Sequence, residues 1–178
     1  MDLPNKKYQV IYADPPWTYR DKANSGQRGA GHKYPCMELS DLLQLPIKAL
    51  AADDCVLFMW HVPVMPLEAL KVVEAWGFRL VTMKGFTWHK TNPKAGGSFL
   101  GMGNWTRANT EDCLIAVRGK PRRIDASVRQ FVEAPRGRHS AKPAGIRDDI
   151  VRLVGDVPRI ELFARQAAPG WDSWGNEL

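Results

Sequence analysis

The sequence predicts an α/β fold in which helices cover both faces of a central sheet. Short apolar, β-branched runs of the kind found in buried strands alternate along the 178-residue chain with segments of helical spacing. The chain shows no internal repeat and no compositional break that would mark a linker. We therefore expect one domain covering residues 1–178.

The first half of the chain supplies two strands and two helices to this prediction. The apolar run "YQVIYA" (8–13) is typical of a buried strand, and a polar loop follows it to about residue 35. "MELSDLLQL" (37–45) predicts a short helix, and "CVLFMW" (55–60) predicts a second buried strand. In "PLEALKVVEAW" (66–76) apolar residues recur at helical spacing behind an early proline, which predicts a helix.

The second half continues the alternation around one long loop. "FRLVTMKGFTWHK" (78–90) predicts a strand in which Gly85 marks a bend or bulge. Residues 91–109 are rich in Gly and Asn and predict a surface loop, whose length is typical of a functional segment. The remaining predicted elements are strands at 111–119, 127–134 and 159–164 and a helix at 142–154.

Composition narrows the class of protein. No apolar run approaches the roughly 20 residues that cross a bilayer, and the first residues have no signal-peptide core, so a cytoplasmic protein without membrane contact is expected. The three cysteines and four histidines lack the spacing of metal ligands or of a disulfide framework, so no metal site is predicted.

The charge of the chain is uneven. The net charge is +6, and residues 118–138 carry seven basic residues against two acidic ones, a local net of +5. Such a basic stretch is compatible with a solvated surface or with contact to a polyanion such as nucleic acid.

The turn "DPPW" after the first strand is the strongest local indication of chemistry. In sheets of this kind, ligands bind outside the carboxyl ends of the strands, and Asp14 stands at such an end. Prolines supply no N–H, so we expect the Pro15 carbonyl to remain free and, with the Asp14 carboxylate, to accept the hydrogens of an NH₂ group. Trp17 is expected to offer a stacking face for a planar ring.

Eight ordered stretches extend this pattern over nearly the whole chain: "ADPPW", "KYPCMELSDL", "LFMWHV", "WGF", "WHKTN", "TEDCLIAVRG", "SAKP" and "RIELFAR…GWDSWGNEL". In these stretches the chain resembles the MT-A70 family, the N6-adenine methyltransferases related to the catalytic subunit of the eukaryotic mRNA adenosine methyltransferase. The resemblance implies a single-domain, Rossmann-like, S-adenosylmethionine-dependent methyltransferase. Its motif order is circularly permuted, with the amine-binding motif first and the cofactor motif near the carboxyl terminus.

The resemblance also implies roles for individual residues. Asp14, Pro15, Pro16 and Trp17 are implied to hold the N6 amine as catalytic residues, with Asp14 also close to the cofactor. S-adenosylmethionine is implied to be bound by Ser140, Lys142, Phe163, Arg165, Asn176 and Glu177. The target base and its surroundings are implied to contact Tyr34, Trp60, Trp88, Lys90, Arg107 and Glu111. Ala167 and Ala168 replace a His-Asn pair of the eukaryotic enzyme, which leaves open how the cofactor ribose is held.

The sequence leaves the nucleic acid and the oligomeric state open. DNA is favoured because a compact family member without the eukaryotic extensions is similar to bacterial or phage DNA modifiers. RNA N6-adenosine methylation, a non-catalytic nucleic-acid-binding module and cytosine N4 methylation are the alternatives. Chemistry on a base requires that the base be unstacked, and the basic stretch 118–138 would then follow the phosphates.

Overall fold

The computed structural model describes residues 3–18, 20–21, 28–29, 36–94, 96–103, 105–137, 141–176 and 178. Along the chain the elements are β1 (Tyr8–Ala13), β2 (Arg20–Asp21), β3 (Arg28–Gly29), α1 (Leu39–Gln44), α2 (Ile47–Leu50), β4 (Ala51–His61), α3 (Pro66–Ala75), β5 (Arg79–Thr91), β6 (Thr110–Arg118), β7 (Phe131–Pro135), α4 (Gly145–Val154), β8 (Arg159–Leu162) and β9 (Asp172–Trp174). None of the helices in this part of the chain is long and apolar enough to cross a bilayer.

Within the described residues, seven of the strands form one mixed sheet in the order β7-β5-β6-β4-β1-β8-β9. β1 pairs in parallel with β4 and β8, β8 with β9, and β5 with β7, whereas β6 runs antiparallel between β4 and β5. The carboxyl ends of all the parallel strands therefore lie at the same edge as the amino end of β6. We call this the carboxyl edge; Asp14, Lys90, Glu111 and Phe163 stand on it.

The two faces of the sheet carry separate apolar cores. Successive residues of β4 alternate between them: Cys55, Leu57 and Met59 face one core and Val56, Phe58 and Trp60 the other. The first core is closed by α1, α2 and α3, and the second by α4 through Ile146 and Ile150. The predicted α/β class with helices on both faces is confirmed.

The predicted elements are found, with differences at their ends. The strand predicted at 127–134 begins only at Phe131, because Ser127 donates both its N–H and its hydroxyl to the Asp125 carboxylate and forms a turn. The helix predicted at 142–154 begins at Gly145. The short elements β2, β3, α2 and β9 were not predicted. β2 and β3 form a two-residue antiparallel pair inside the predicted loop, and β9 has no apolar alternation and forms through its pairing with β8.

Gly85 interrupts β5 as predicted. The pairing of β5 with β6 shifts register between Thr82 and Phe86. A Cβ at Gly85 would lie 2.2 Å from Cγ1 of Ile115, so the close approach of the two strands requires glycine at this position.

Candidate active site

The "DPPW" turn leaves β1 at the carboxyl edge and is fixed by backbone hydrogen bonds. The Trp17 N–H donates to the Pro15 carbonyl at 2.9 Å, and the Met37 N–H donates to the Pro16 carbonyl at 2.8 Å. The expectation that the Pro15 carbonyl is free of backbone pairing is therefore wrong. The prolines have no N–H to donate, but Trp17 and Met37 donate theirs to the two proline carbonyls.

Trp17 anchors this turn in the apolar core. Its side chain is 4% exposed, and its indole N–H donates to the carbonyl of Trp60 at 3.0 Å. A buried tryptophan with its N–H satisfied is a packing residue. The expectation that Trp17 offers an open stacking face is therefore wrong, because its ring packs against the core formed with α1, α2 and α3.

Four charged side chains form a continuous chain along the carboxyl edge, which we call the charged cluster: Lys90, Glu111, Lys142 and Asp14. The Lys142 ammonium lies 2.6 Å from Oδ2 of Asp14 and 3.3 Å from Oε2 of Glu111. Oε1 of Glu111 lies 2.5 Å from the Lys90 ammonium. The side chains are between 10% and 24% exposed, so water screens these pairs less than it screens surface pairs.

The alternation of sign in the charged cluster maintains the ionised forms. Burial by itself raises the pKa of Glu111, but Lys142 and Lys90 outweigh it and bring the pKa below its ordinary value. Burial likewise acts to lower the pKa of Lys142, and the carboxylates of Asp14 and Glu111 raise it above its ordinary value. The ion pairs of Glu111 and Lys142 thus offset the cost of their burial, and the Asp14 carboxylate has an ammonium partner in Lys142.

Trp60 and Trp88 form an aromatic floor under the charged cluster. Each is 2% exposed, and their rings meet edge to face with centroids 6.5 Å apart. The Lys142 ammonium lies 5.4 Å from the Trp60 ring centroid, and the Lys90 ammonium lies 5.4 Å from that of Trp88. In this structure Trp60 and Trp88 therefore contact the two ammonium groups with their rings. Direct contact of either tryptophan with a base stays a prediction.

Hydrogen bonds fix the orientation of this floor. The Trp60 indole N–H donates to the Tyr12 hydroxyl at 2.7 Å, and the Trp88 indole N–H donates to the Ala134 carbonyl at 2.8 Å. From its sequence, Tyr12 is expected only as part of a buried strand. Its position two residues before Asp14, on the face of β1 that meets Trp60, was the available signal.

The ends of β8 and β9 form a cradle beside Asp14. Leu162, the last residue of β8, lies opposite Ala13 of β1 and Trp174 of β9. The next residue, Phe163, has φ 59°, an uncommon conformation for a residue with a side chain, and its ring contacts Trp174 edge to face. A Cβ at Gly175 would lie 2.2 Å from the Ala164 carbonyl oxygen, so the two chain segments touch through backbone.

This cradle fits the cofactor that the sequence resemblance implies. A backbone-lined turn lies beside the Asp14 carboxylate, and the Lys142 ammonium provides the charge that a ligand carboxylate requires. Arg165 is half-buried and Asn176 exposed at the same strand ends. No sequence signal indicated the left-handed conformation of Phe163, because phenylalanine rarely adopts it.

Of the remaining predicted site residues, the structure describes Arg107, which lies outside this assembly. Arg107 is exposed on the loop between β5 and β6, where its guanidinium donates to the sulfur of Met102 at 3.1 Å. Tyr34, Ser140 and Glu177 lie outside the described residues, so their implied roles stay predictions.

Comparison with known proteins agrees with the fold. The sequence profile of the MT-A70 family matches residues 8–177. The chain is 39% identical to the type II methyltransferase M.MunI of Mycoplasma sp., and the alignment covers 99% of this chain and 80% of that protein.

Two human proteins are more distant and much longer. The chain is 28% identical to the N(6)-adenine-specific methyltransferase METTL4 of Homo sapiens, over 97% of this chain and 38% of that protein. It is also 28% identical to the human N(6)-adenosine-methyltransferase catalytic subunit METTL3, over 97% of this chain and 28% of that protein. With the profile match spanning almost its entire length, the chain belongs to the MT-A70 family.

Proposed function

We propose that this protein transfers the methyl group of S-adenosylmethionine to the N6 amine of adenine in DNA, as a single catalytic domain. The observation that carries the proposal is the Asp14 carboxylate, which stands at the carboxyl edge between the Lys142 ammonium and the cradle formed by β8 and β9. Membership of the MT-A70 family, and relatives named as N(6)-adenine and N(6)-adenosine methyltransferases, support it.

Asp14 has the chemistry that an amine acceptor requires. Its carboxylate accepts hydrogen bonds from the amine and so orients the nitrogen lone pair toward the methyl donor, an effect worth up to about 7–11 kcal/mol in ideal cases. As the nitrogen–carbon bond forms and the sulfur–methyl bond breaks, positive charge passes to the nitrogen, and a fixed carboxylate stabilises it until the nitrogen loses one proton to water. The Lys142 ammonium lies 2.6 Å from Oδ2 of this carboxylate and so fixes its position.

We assign the cofactor to the cradle beside Asp14. When bound, S-adenosylmethionine supplies an activated methyl group on sulfur. Lys142 would hold its carboxylate, and Phe163 and Arg165 would line the site at the end of β8. Asn176, together with Ser140 and Glu177, would complete the site according to the family resemblance, and the role of each of these three residues is a proposal.

We favour DNA over RNA because the chain is 39% identical to a type II methyltransferase and 28% identical to METTL3. The basic stretch 118–138 supplies the cations for phosphate contacts. Arg122, Arg123 and Arg129 are exposed, and among the described residues they form no ion pair. The three cysteines are thiols, which is compatible with the cytoplasmic location that we propose.

The test is incubation with methyl-labelled S-adenosylmethionine and four substrates: single- and double-stranded DNA, and single- and double-stranded RNA. We expect label in DNA, recovered as N6-methyladenine when the product is digested to nucleosides and resolved by mass. Label in RNA would assign the adenosine alternative, and N4-methylcytosine would assign the other exocyclic amine. Nucleic-acid binding without cofactor binding in calorimetry would identify a non-catalytic module.

A further inference from the structure

We propose that the loop between β5 and β6 inserts an aromatic wedge into duplex DNA beside the target adenine. The inference rests on the proposed function and names duplex DNA as the substrate form. The wedge is the exposed apolar tip of the loop, formed by Leu100, Met102 and Trp105, and Trp105 is its leading residue.

The tip stands out by its exposure. Leu100 is 62% exposed, Met102 64% and Trp105 101%. The other six tryptophans are buried or half-buried, and Trp17, Trp60, Trp76 and Trp88 are each at most 4% exposed. Three large apolar side chains exposed within six residues, one of them a fully exposed tryptophan, mark a surface that contacts another molecule.

The base of the loop is built as a short hairpin on the active site. The Phe99 N–H donates to the Lys90 carbonyl at 2.8 Å, and the Lys90 N–H donates to the Asn109 carbonyl at 2.8 Å. Further out, the Gly101 N–H donates to the Ala108 carbonyl at 2.7 Å. The tip therefore projects from the same residue, Lys90, that belongs to the charged cluster.

Two further contacts define the shape of this hairpin. The Arg136 guanidinium stacks over the Phe99 ring at 3.7 Å from its centroid, which ties the loop to the end of β7. At Gly103, where φ is 61°, a Cβ would lie 1.8 Å from the Thr106 carbonyl oxygen, so the chain turns back tightly before Trp105.

Charge selects a polyanion as the occupant of this surface. Residues 92–110 contain Lys94 and Arg107 and no acidic residue. Arg107 donates to the Met102 sulfur, so a cation lies directly beside the apolar tip. A cationic rim around an apolar wedge fits phosphates on either side of a base step.

A duplex substrate gives such a wedge a function. An adenine can reach the carboxyl edge from a duplex only if it leaves the base stack, which leaves a gap and costs stacking energy. An inserted apolar side chain fills that gap and holds the neighbouring base pairs apart. Single-stranded DNA presents no such gap, so the wedge should matter for duplex DNA alone.

The experiment compares Trp105→Ala with the parent protein on one DNA sequence in two forms. The sequence is a short segment around a site that the parent methylates, mapped from its own product, used as duplex and as single strand. We expect Trp105→Ala to methylate the duplex about tenfold more slowly, from the loss of one stacking contact, and the single strand at the parent rate. Trp105→Phe, which keeps an aromatic face, should recover most of the duplex activity.

A binding readout separates the wedge from general damage. With 2-aminopurine in place of the target adenine in the duplex, the parent should raise its fluorescence on binding, and Trp105→Ala should raise it less. Leu67→Ala, which removes a 68% exposed side chain on α3, is the matched control and should change neither readout.

Several results would overturn the wedge. Trp105→Ala could methylate the duplex as fast as the parent, or it could lose activity equally on both forms of DNA. The parent could methylate single strands alone. Trp105→Ala could also change the oligomeric state, which would make the tip a protein interface. Failure of the proposed function is distinguishable, because the parent would then methylate adenine in neither form of DNA.

Discussion

The charged cluster and the basic stretch both contain cationic side chains, but the cations are paired with carboxylates in the first and exposed in the second. In the charged cluster every ammonium lies within 3.3 Å of a carboxylate, and the four charges cancel. In the basic stretch, Arg122, Arg123 and Arg129 rim a cavity of about 330 Å³ whose floor is apolar, and none of the described residues that line it is acidic. Balanced and half-buried charge fixes geometry, whereas unbalanced and exposed charge attracts a polyanion over a distance.

The basic stretch is itself not uniform. The guanidinium of Arg118 donates to the carbonyls of Lys48 and Ala51, and that of Arg136 stacks on Phe99. These two arginines have structural partners in the protein. The exposed charge that contrasts with the charged cluster is therefore carried by Arg122, Arg123 and Arg129 at the cavity.

The largest expected effect concerns the charged cluster and the chemical step. We expect Asp14→Ala to lower kcat by about 10²–10³-fold, because the amine loses a preorganised acceptor for its developing charge. The measurement is the steady-state rate of label transfer from S-adenosylmethionine to DNA, with circular dichroism to check folding.

Asp53→Ala is the matched control for this substitution. It makes the same chemical change at an exposed position near the opposite end of β4, and its rate should equal that of the parent. If Asp14→Ala methylates as fast as the parent, Asp14 has no role in the chemical step. The charged cluster would then differ from the basic stretch in structure but not in catalysis.

The sequence predicts the location of the site better than its internal contacts. The rule that ligands bind at the carboxyl ends of strands predicts a site at Asp14, and the family resemblance implies Phe163 beside the cofactor. The pairing of Ala13 with Leu162 brings both residues to one edge. The pairing of Lys142 with Glu111 could not be predicted, because it depends on how β6 lies in the sheet and how the chain enters α4.

The turn at Asp14 illustrates the same limit. Its sequence correctly indicates a rigid break after a buried strand, since two prolines restrict the backbone. The donors that occupy the Pro15 and Pro16 carbonyls come from Trp17 and from Met37, which lies beyond a loop. Partners supplied by a distant segment leave no local pattern in the sequence.

A smaller effect concerns stability and its dependence on pH. We expect Glu111→Gln to lower the free energy of unfolding at pH 7 by about 1.5–3 kcal/mol, because Lys142 and Lys90 lose a charged partner. The pKa of Glu111 is lowered in the folded protein, so its contribution is present above the ordinary value of 4.5 and is lost as the pH falls through the folded value. The difference between variant and parent should therefore shrink below about pH 4.5.

Urea unfolding from pH 7 to pH 3 measures this dependence. Glu74→Gln, an exposed position in the last turn of α3, is the control and should follow the parent at every pH. A Glu111→Gln difference that stays constant across this range would show that the carboxylate charge contributes nothing to the charged cluster.

The smallest expected effect concerns the basic stretch and binding. We expect the double variant Arg122→Ala/Arg123→Ala to keep the parent kcat at saturating DNA and to bind DNA more weakly. Each phosphate contact adds about 0.9 to the slope of log affinity against log salt, so losing two should reduce that slope by about 2. The measurement is fluorescence anisotropy of labelled duplex DNA between low and physiological salt.

The control for this variant removes the same charge from elsewhere on the surface. Lys48→Ala/Lys71→Ala takes two exposed cations from α2 and α3, which cover the face of the sheet opposite the cavity, so the net charge falls equally. If both double variants reduce the slope alike, DNA responds to net charge and the three arginines form no distinct contact surface. If the cavity variant alone reduces the salt slope, the basic stretch binds DNA and the charged cluster serves the chemical step. The charged cluster is neutral overall and half-buried, so it can position an amine but cannot attract a polyanion from a distance.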